Sequence, residues 1–195
     1  APDHAACAVR AALGMARAVE QLNQEHRAQG LPEIGVGIGL NTGLMCVGDM
    51  GSNIRLSYTV IGDAVNLGSR LDGLCTTYDV AIIASESTRS MAPGFVWQEL
   101  DRVRVKGKAQ SVNIYTPWAE QSQASALNAD ELACWHQVLA AYRAQDWAQC
   151  GRSLAALRHQ APQSVLYALY ASRLEEMMSS PPPSDWDGAT HFDTK

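Results

Sequence analysis

Tyr58–Leu71, YTVIGDAVNLGSRL, changes pattern at its centre. Leu56–Val60 reads as a short strand, and Gly62-Asp63 then opens a helix that runs to about Leu74, with Asp63 as its N-cap. On that helix Asn66 and Arg70 lie four residues apart, so both side chains leave one face. Asn carries an amide donor and acceptor, and Arg a permanent forked cation. Together they can orient a sugar and stabilise charge building on a phosphate. From spacing alone, a solvated helix face is the favoured reading.

Upstream, Pro2 and Asp3 start a helix whose apolar residues Val9, Ala12, Leu13, Ala16, Val19 and Leu22 recur at helical spacing. Gly30-Leu31-Pro32 ends it. Ile34–Leu40 alternates apolar residues with Gly35, Gly37 and Gly39, a strand with a glycine face that another backbone or a ligand can approach. Asn41-Thr42-Gly43 reads as a turn into a second strand beginning at Leu44–Val47, which predicts a hairpin, and Asp49–Arg55 reads as a loop.

Downstream, Val80–Ala84 is a short strand and Ser85 caps a short helix to Met91. Phe95–Val105 and Val112–Tyr115 form a closing strand pair. Arg102, Arg104, Lys106 and Lys108 alternate with Val103 and Val105, which places the cations on one face. Such a row ending in Lys-Gly-Lys suits a polyphosphate. It equally suits a charged strand that discourages edge pairing. Strands and helices mix without a clean βαβ repeat, so the predicted class is α+β.

After Trp118 the composition changes. Gln121–Ala126 is a polar linker, and beyond it the pattern is helical. Asn128 with Glu131 resembles a capping box. Three apolar stripes follow: Leu132, Trp135, Leu139 and Tyr142; Trp147, Cys150, Leu154 and Leu157; Leu166, Leu169, Tyr170 and Leu174. Pro162 parts the second helix from the third. Trp186, in the tail beyond Pro181-Pro182-Pro183, is expected to dock on these helices.

The 195 residues are 47% hydrophobic and 18% charged, which is enough to bury a core. A net charge of −5 argues against a nucleic-acid partner. No apolar run approaches the roughly 20 residues of a membrane span. Five scattered cysteines without a C-x-x-C pair fit reduced thiols and a cytoplasmic setting. The glycine run lacks a dinucleotide fingerprint and no Walker A motif occurs. The histidines show no ligand spacing, so no metal ligand is assigned; Asp49 and Asp63 read as loop and cap residues.

These pieces together resemble the class III adenylate/guanylate cyclase catalytic domain. The resemblance runs from about Ala1 to Trp118 and rests on GIGLNTG (Gly37–Gly43), VGDMGS (Val47–Ser52), YTVIGDAVNLGSRL and VRVKGKAQSVNIY (Val103–Tyr115). It implies part of a ferredoxin-like, palm-type cyclase sheet, followed by a small all-α hairpin region. The implied activity is conversion of ATP to 3′,5′-cyclic AMP and pyrophosphate at a site between two catalytic domains, a homodimer. By motif position Asn66 resembles the residue that orients ribose, Arg70 the transition-state arginine, Lys106 the triphosphate lysine, and Thr59 the reader of the purine edge. The family also implies two divalent ions, Mg²⁺ or Mn²⁺, held by aspartates in strands that would precede Ala1.

The expected organisation is a C-terminal portion of the catalytic domain at 1–118, a linker at 119–126, tetratricopeptide-like helices at 127–178 and a Pro/Asp-rich tail at 179–195. The opening APDHAACAVRAA, without Met, points to a piece of a longer protein that is inactive alone. Its parent could be membrane-anchored through an upstream sensor. A protein partner for the helices is a further expectation. The alternative is a non-catalytic, cyclase-like signalling scaffold.

Overall fold

A computed structural model of the chain describes residues 3–52, 55–105, 110–123 and 126–192. Two compact units form, Ala1–Thr76 with Val80–Gly94, and Thr77–Asp79 with Phe95–Lys195.

The first unit holds α1 (His4–Gln29), β1 (Ile38–Leu40), β2 (Cys46–Ser52), β3 (Arg55–Ile61), most of α2 (Asp63–Tyr78), β4 (Ile82–Ser85) and α3 (Glu86–Ser90). Helix α1 buries Ala5, Val9 and Ala12 and stops at Gly30, whose φ of 68° is the left-handed conformation that glycine adopts without strain. The buried Asn23 then fixes the return of the chain. Its Nδ2 donates to the Ile34 carbonyl at 2.9 Å, and its Oδ1 accepts from the Ile34 N–H at 2.8 Å.

The hairpin lies one strand later than the sequence predicts. Strand β2 pairs antiparallel with β3, from Cys46↔Ile61 to Ser52↔Arg55, so most of the predicted Asp49–Arg55 loop is strand. Strand β1 instead runs parallel to β4, from Ile38↔Ile82 to Leu40↔Ala84. The reason lies in Asn41. Its Oδ1 accepts from the hydroxyls of Ser85 at 2.6 Å and Ser87 at 3.2 Å, and its Nδ2 donates to the Ala64 carbonyl at 2.8 Å. The side chain braces a crossover, where a tight hairpin turn was expected.

The glycine face serves another backbone. A Cβ on Gly39 would stand 2.0 Å from the Gly68 carbonyl oxygen and 2.6 Å from the Asp72 nitrogen. One on Gly37 would stand 2.7 Å from Asp72 Oδ1, and one on Gly43 2.8 Å from the Ala64 Cβ. Helix α2 therefore lies directly on this strand, burying Leu67, Leu71, Leu74 and Cys75. Its cap is Gly62, whose carbonyl accepts from Val65 and Asn66 N–H at 3.1 and 3.3 Å. Asp63 is the first helical residue, correcting its predicted cap role; an acid in the first turn still suits the helix dipole.

The second unit holds β5 (Phe95–Val105), β6 (Val112–Glu120), α4 (Ala126–Arg143), α5 (Trp147–Gln160), α6 (Val165–Ser179) and β7 (Thr190–Phe192). Strand β5 has β6 antiparallel on one edge and β7 parallel on the other, from Val103↔Thr190 to Val105↔Phe192. Its charges therefore do not keep it unpaired. Its pairing with β6 is irregular between Glu99 and Asp101. Such a bulge re-aims side chains, and here the consecutive Leu100 and Asp101 are both buried, at 0% and 1% exposure. Helix α4 begins at Ala126, so Asn128 and Glu131 lie inside the helix and are not a boundary capping box.

The helices are seated on β5. Trp135 is wholly buried, with its ring centroid 5.1 Å from that of Tyr167 and 4.9 Å from that of Tyr170. Its indole N–H donates to the Glu99 carbonyl. Arg143 pairs with the Glu99 carboxylate, and Gln98 donates to the Tyr167 hydroxyl at 3.2 Å. Trp186 docks as expected, 5.3 Å from Tyr142 and 6.5 Å from Trp147 between ring centroids.

Candidate active site

Thr59, Asn66 and Arg70 come from one continuous strand–helix segment. Thr59 sits in β3 opposite Gly48. Glycine puts no side chain beside it, and Thr59 is exposed. Three residues later Gly62 starts α2. On α2, Leu67, Leu71 and Leu74 occupy the buried face. Asn66 is exposed and Arg70 half-buried, four residues apart along the helix. The segment thus offers a hydroxyl, an amide and a guanidinium from a helix whose first turn is braced through Asn41 and whose packing face is locked against glycines. These donors can hold a sugar hydroxyl and meet negative charge on phosphate.

Lys106, with Lys108, lies outside the described residues. The two arginines of the predicted cationic row are turned to another use. Arg102 donates through Nε to Asn113 Oδ1 at 3.0 Å and through Nη1 to the Asp187 carbonyl at 2.8 Å. Arg104 pairs with the Asp187 carboxylate at 2.9 Å. Burial would raise the Asp187 carboxyl, but the Ala189 N–H, the Ser111 hydroxyl and the two arginines outweigh it and hold it below its ordinary value.

Asp101 was not singled out from the sequence. Its Oδ2 accepts from the Tyr78 hydroxyl at 2.7 Å, Arg173 Nη1 at 2.7 Å and the Thr190 hydroxyl at 2.8 Å. Its Oδ1 accepts from the Tyr170 hydroxyl at 3.0 Å and the Arg102 N–H at 2.7 Å. Burial, and then the Asp101 charge, push the Tyr78 and Tyr170 hydroxyls well above their ordinary values. Burial would lower Arg173, yet the adjoining carboxylate raises it. In the sequence Asp101 does not stand out, because Glu99, Arg102 and Arg104 surround it in the same strand.

Among the described residues, no group of three or more His, Cys, Asp or Glu gathers that could hold a metal ion. The described residues by themselves do not supply the ligands of a two-ion site. Among the described residues, no helix is long and apolar enough to cross a membrane.

Comparison with known proteins bears on this segment directly. An adenylate cyclase of Anabaena cylindrica is 40% identical over 117 residues, covering 56% of this chain and 23% of that protein. Adenylate cyclase 1 of Rhizobium meliloti is 36% identical over 113 residues, covering 57% of this chain and 17% of that protein. The chain therefore spans under a quarter of the length of these relatives. The crystal structure of the adenylyl cyclase CyaB from P. aeruginosa matches with a TM-score of 0.50 at 30% identity, over 59% of this chain and 60% of that one. The family described as the adenylate and guanylate cyclase catalytic domain matches residues 1–117, and the chain belongs to that family.

Proposed function

We propose that this chain is the C-terminal part of an adenylate cyclase catalytic domain that converts ATP to 3′,5′-cyclic AMP and pyrophosphate. The observation that carries the proposal is the β3–Gly62–α2 segment, which presents Thr59, Asn66 and Arg70 from a single rigid stretch inside the region matched to the family. Both relatives described above are adenylate cyclases.

In the reaction the ribose 3′-hydroxyl attacks the α-phosphorus and pyrophosphate leaves. Thr59 accepts or donates one hydrogen bond at the purine edge. Asn66 holds the ribose so that its 3′-oxygen lies in line with the scissile bond. Arg70 meets the negative charge that builds on the α-phosphoryl oxygens, and Lys106 binds the triphosphate. The site is completed by a second catalytic domain. Exposed apolar residues on the β2–β3 hairpin support a second copy as that partner: Leu44 just before it is 98% exposed, Tyr58 76% and Ile61 56%. A protein partner for α4–α6 is part of the same proposal.

The test joins the chain to the corresponding upstream segment of the Anabaena cylindrica relative and measures cyclic AMP formation with Mn²⁺. Arg70→Ala should lower kcat by about 10²-fold, as expected for removal of one transition-state charge contact. Thr59→Ala should erode the preference for ATP over GTP more than it slows turnover. The chain without that upstream segment should show no turnover. Wild-type kcat in Arg70→Ala, or turnover by the chain alone, would sink the proposal.

A further inference from the structure

Inside the first unit, one half-buried amide joins three elements. Asn41 follows directly on β1. Its Nδ2 donates to the Ala64 carbonyl in the first turn of α2 at 2.8 Å. Its Oδ1 accepts from the Ser85 hydroxyl, at the end of β4, at 2.6 Å and from the Ser87 hydroxyl of α3 at 3.2 Å. The amide can face only one way. A carbonyl oxygen accepts and never donates, so the NH₂ must point at Ala64, which leaves the oxygen for the two hydroxyls. Those hydroxyls are themselves fixed. They lie 2.9 Å from each other, Ser87 also donates to the Thr42 carbonyl at 2.8 Å, and Ser85 accepts from the Thr88 N–H at 3.4 Å as the cap of α3.

The glycine contacts and the amide do different things to α2. Contacts at Gly37, Gly39 and Gly43 set how near the helix comes to the strand. They are steric, so a smooth glycine face resists approach but not rolling. A hydrogen bond is directional, and the one from Asn41 points at a single carbonyl. Asn41 also stands close to the helix, since a Cβ on Gly68 would lie 3.8 Å from the Asn41 Cβ. Ala64 precedes Asn66 by two residues and Arg70 by six, which is about 3 and 9 Å along the axis. Side chains lie about 5 Å from a helix axis, so rolling α2 by about 20° would carry Asn66 sideways by about 2 Å. A misplacement of about 1 Å is enough to cost a reaction of this kind up to about 10²-fold.

We propose that Asn41 is a positioning residue for the cyclase site: its amide, oriented by the Ser85 and Ser87 hydroxyls, fixes the roll of α2 through the Ala64 carbonyl and so aims Asn66 and Arg70. This rests on the roles given to Asn66 and Arg70 above. Asn41 touches no substrate and acts through the helix alone.

The test compares Asn41→Asp with Thr42→Val. Asn41→Asp keeps the size of the side chain and an oxygen for the serine hydroxyls, but turns the Nδ2 donor into an oxygen that repels the Ala64 carbonyl. Thr42→Val removes the neighbouring hydroxyl, which bonds Thr88 Oγ1 at 3.0 Å. Hydrogen exchange on this chain should show amides 65–70 exchanging about tenfold faster in Asn41→Asp. In the chain joined to the Anabaena cylindrica segment, Asn41→Asp should lower kcat per folded molecule about tenfold, with KM for ATP within about twofold. Thr42→Val should leave all three readouts within about twofold of wild type. A brace of stability alone would lower the denaturation midpoint and leave kcat per folded molecule unchanged. If Asn41→Asp fails to fold, Ser87→Ala removes one of the two hydroxyls that orient the amide and should lower kcat about threefold. Equal effects in Asn41→Asp and Thr42→Val, or unchanged kcat in the Asn41 or Ser87 variant that folds, would overturn the proposal. Failure of the proposed cyclase chemistry would show separately, as an Arg70→Ala variant with undiminished activity.

Discussion

Gly39→Ala should be the most damaging single methyl that can be added to the first unit. The new Cβ would stand 2.0 Å from the Gly68 carbonyl oxygen and 2.6 Å from the Asp72 nitrogen, both backbone atoms of α2. Ordinary contact begins near 3.4 Å, so the helix would have to retreat by about 1.4 Å. No side-chain rotation relieves the clash, because neither neighbour is a flexible tip. Overpacking a core costs about 1–3 kcal/mol when side chains can adjust, and here the backbone must move, so the expected loss is at least about 3 kcal/mol. That corresponds to roughly a hundredfold in the folding equilibrium. Urea denaturation of the purified chain, followed by circular dichroism, measures it. Gly14→Ala is the paired control: a Cβ there meets nothing within 4 Å, and the change should stabilise α1 by about 1 kcal/mol. A Gly39→Ala chain within about 0.5 kcal/mol of wild type would refute the close seating of α2 on β1.

Further outcomes concern the second unit. Trp135→Ala should cost about 3–5 kcal/mol, because it empties a wholly buried site between Tyr167 and Tyr170 and removes the hydrogen bond to the Glu99 carbonyl; equilibrium denaturation checks it. Burial raises the Tyr142 hydroxyl from 10.0 to about 12, and burial also raises Tyr78, Tyr167 and Tyr170. The unfolded chain therefore loses these protons first as the solution becomes alkaline. The stability they contribute is complete below pH 10.0 and falls as the pH rises towards 12. Denaturation midpoints and phenolate absorbance over that range should drop and rise together; phenolate from all four groups near pH 10.0 in a folded chain would contradict their burial.

The helical part of the fold was legible because its signals are local. The apolar period of α1, its glycine stop and the stripes of α4–α6 each lie within a few turns of chain. The glycine strand announced a close backbone approach, but not that α2 would make it. Strand pairing was misread where short-range cues pointed the wrong way. Asn41-Thr42-Gly43 has turn composition, yet the Asn41 amide reaches residues 23 to 46 positions away. Asp49 and Gly51 gave β2 the look of a loop, since such residues are poor strand formers and pairing with β3 overrides that preference. Thr59, Asn66 and Arg70 are proposed from motif position, and the last two also from their spacing on one helix. Asp101 escaped because Tyr78, Tyr170, Arg173 and Thr190 lie 23, 69, 72 and 89 residues from it, and no periodicity connects them.

Those separations also govern the order in which the second unit can assemble. Closing a loop of 89 residues has an entropic cost that local contacts do not, so the Thr190 bond to Asp101 and the pairing of β7 with β5 are expected to come late in folding. Until residues 165–192 have been synthesised, a nascent chain that already contains β5 has a carboxylate bound for the interior and only Tyr78 and the adjacent N–H to receive it. The strand must keep that group in water meanwhile.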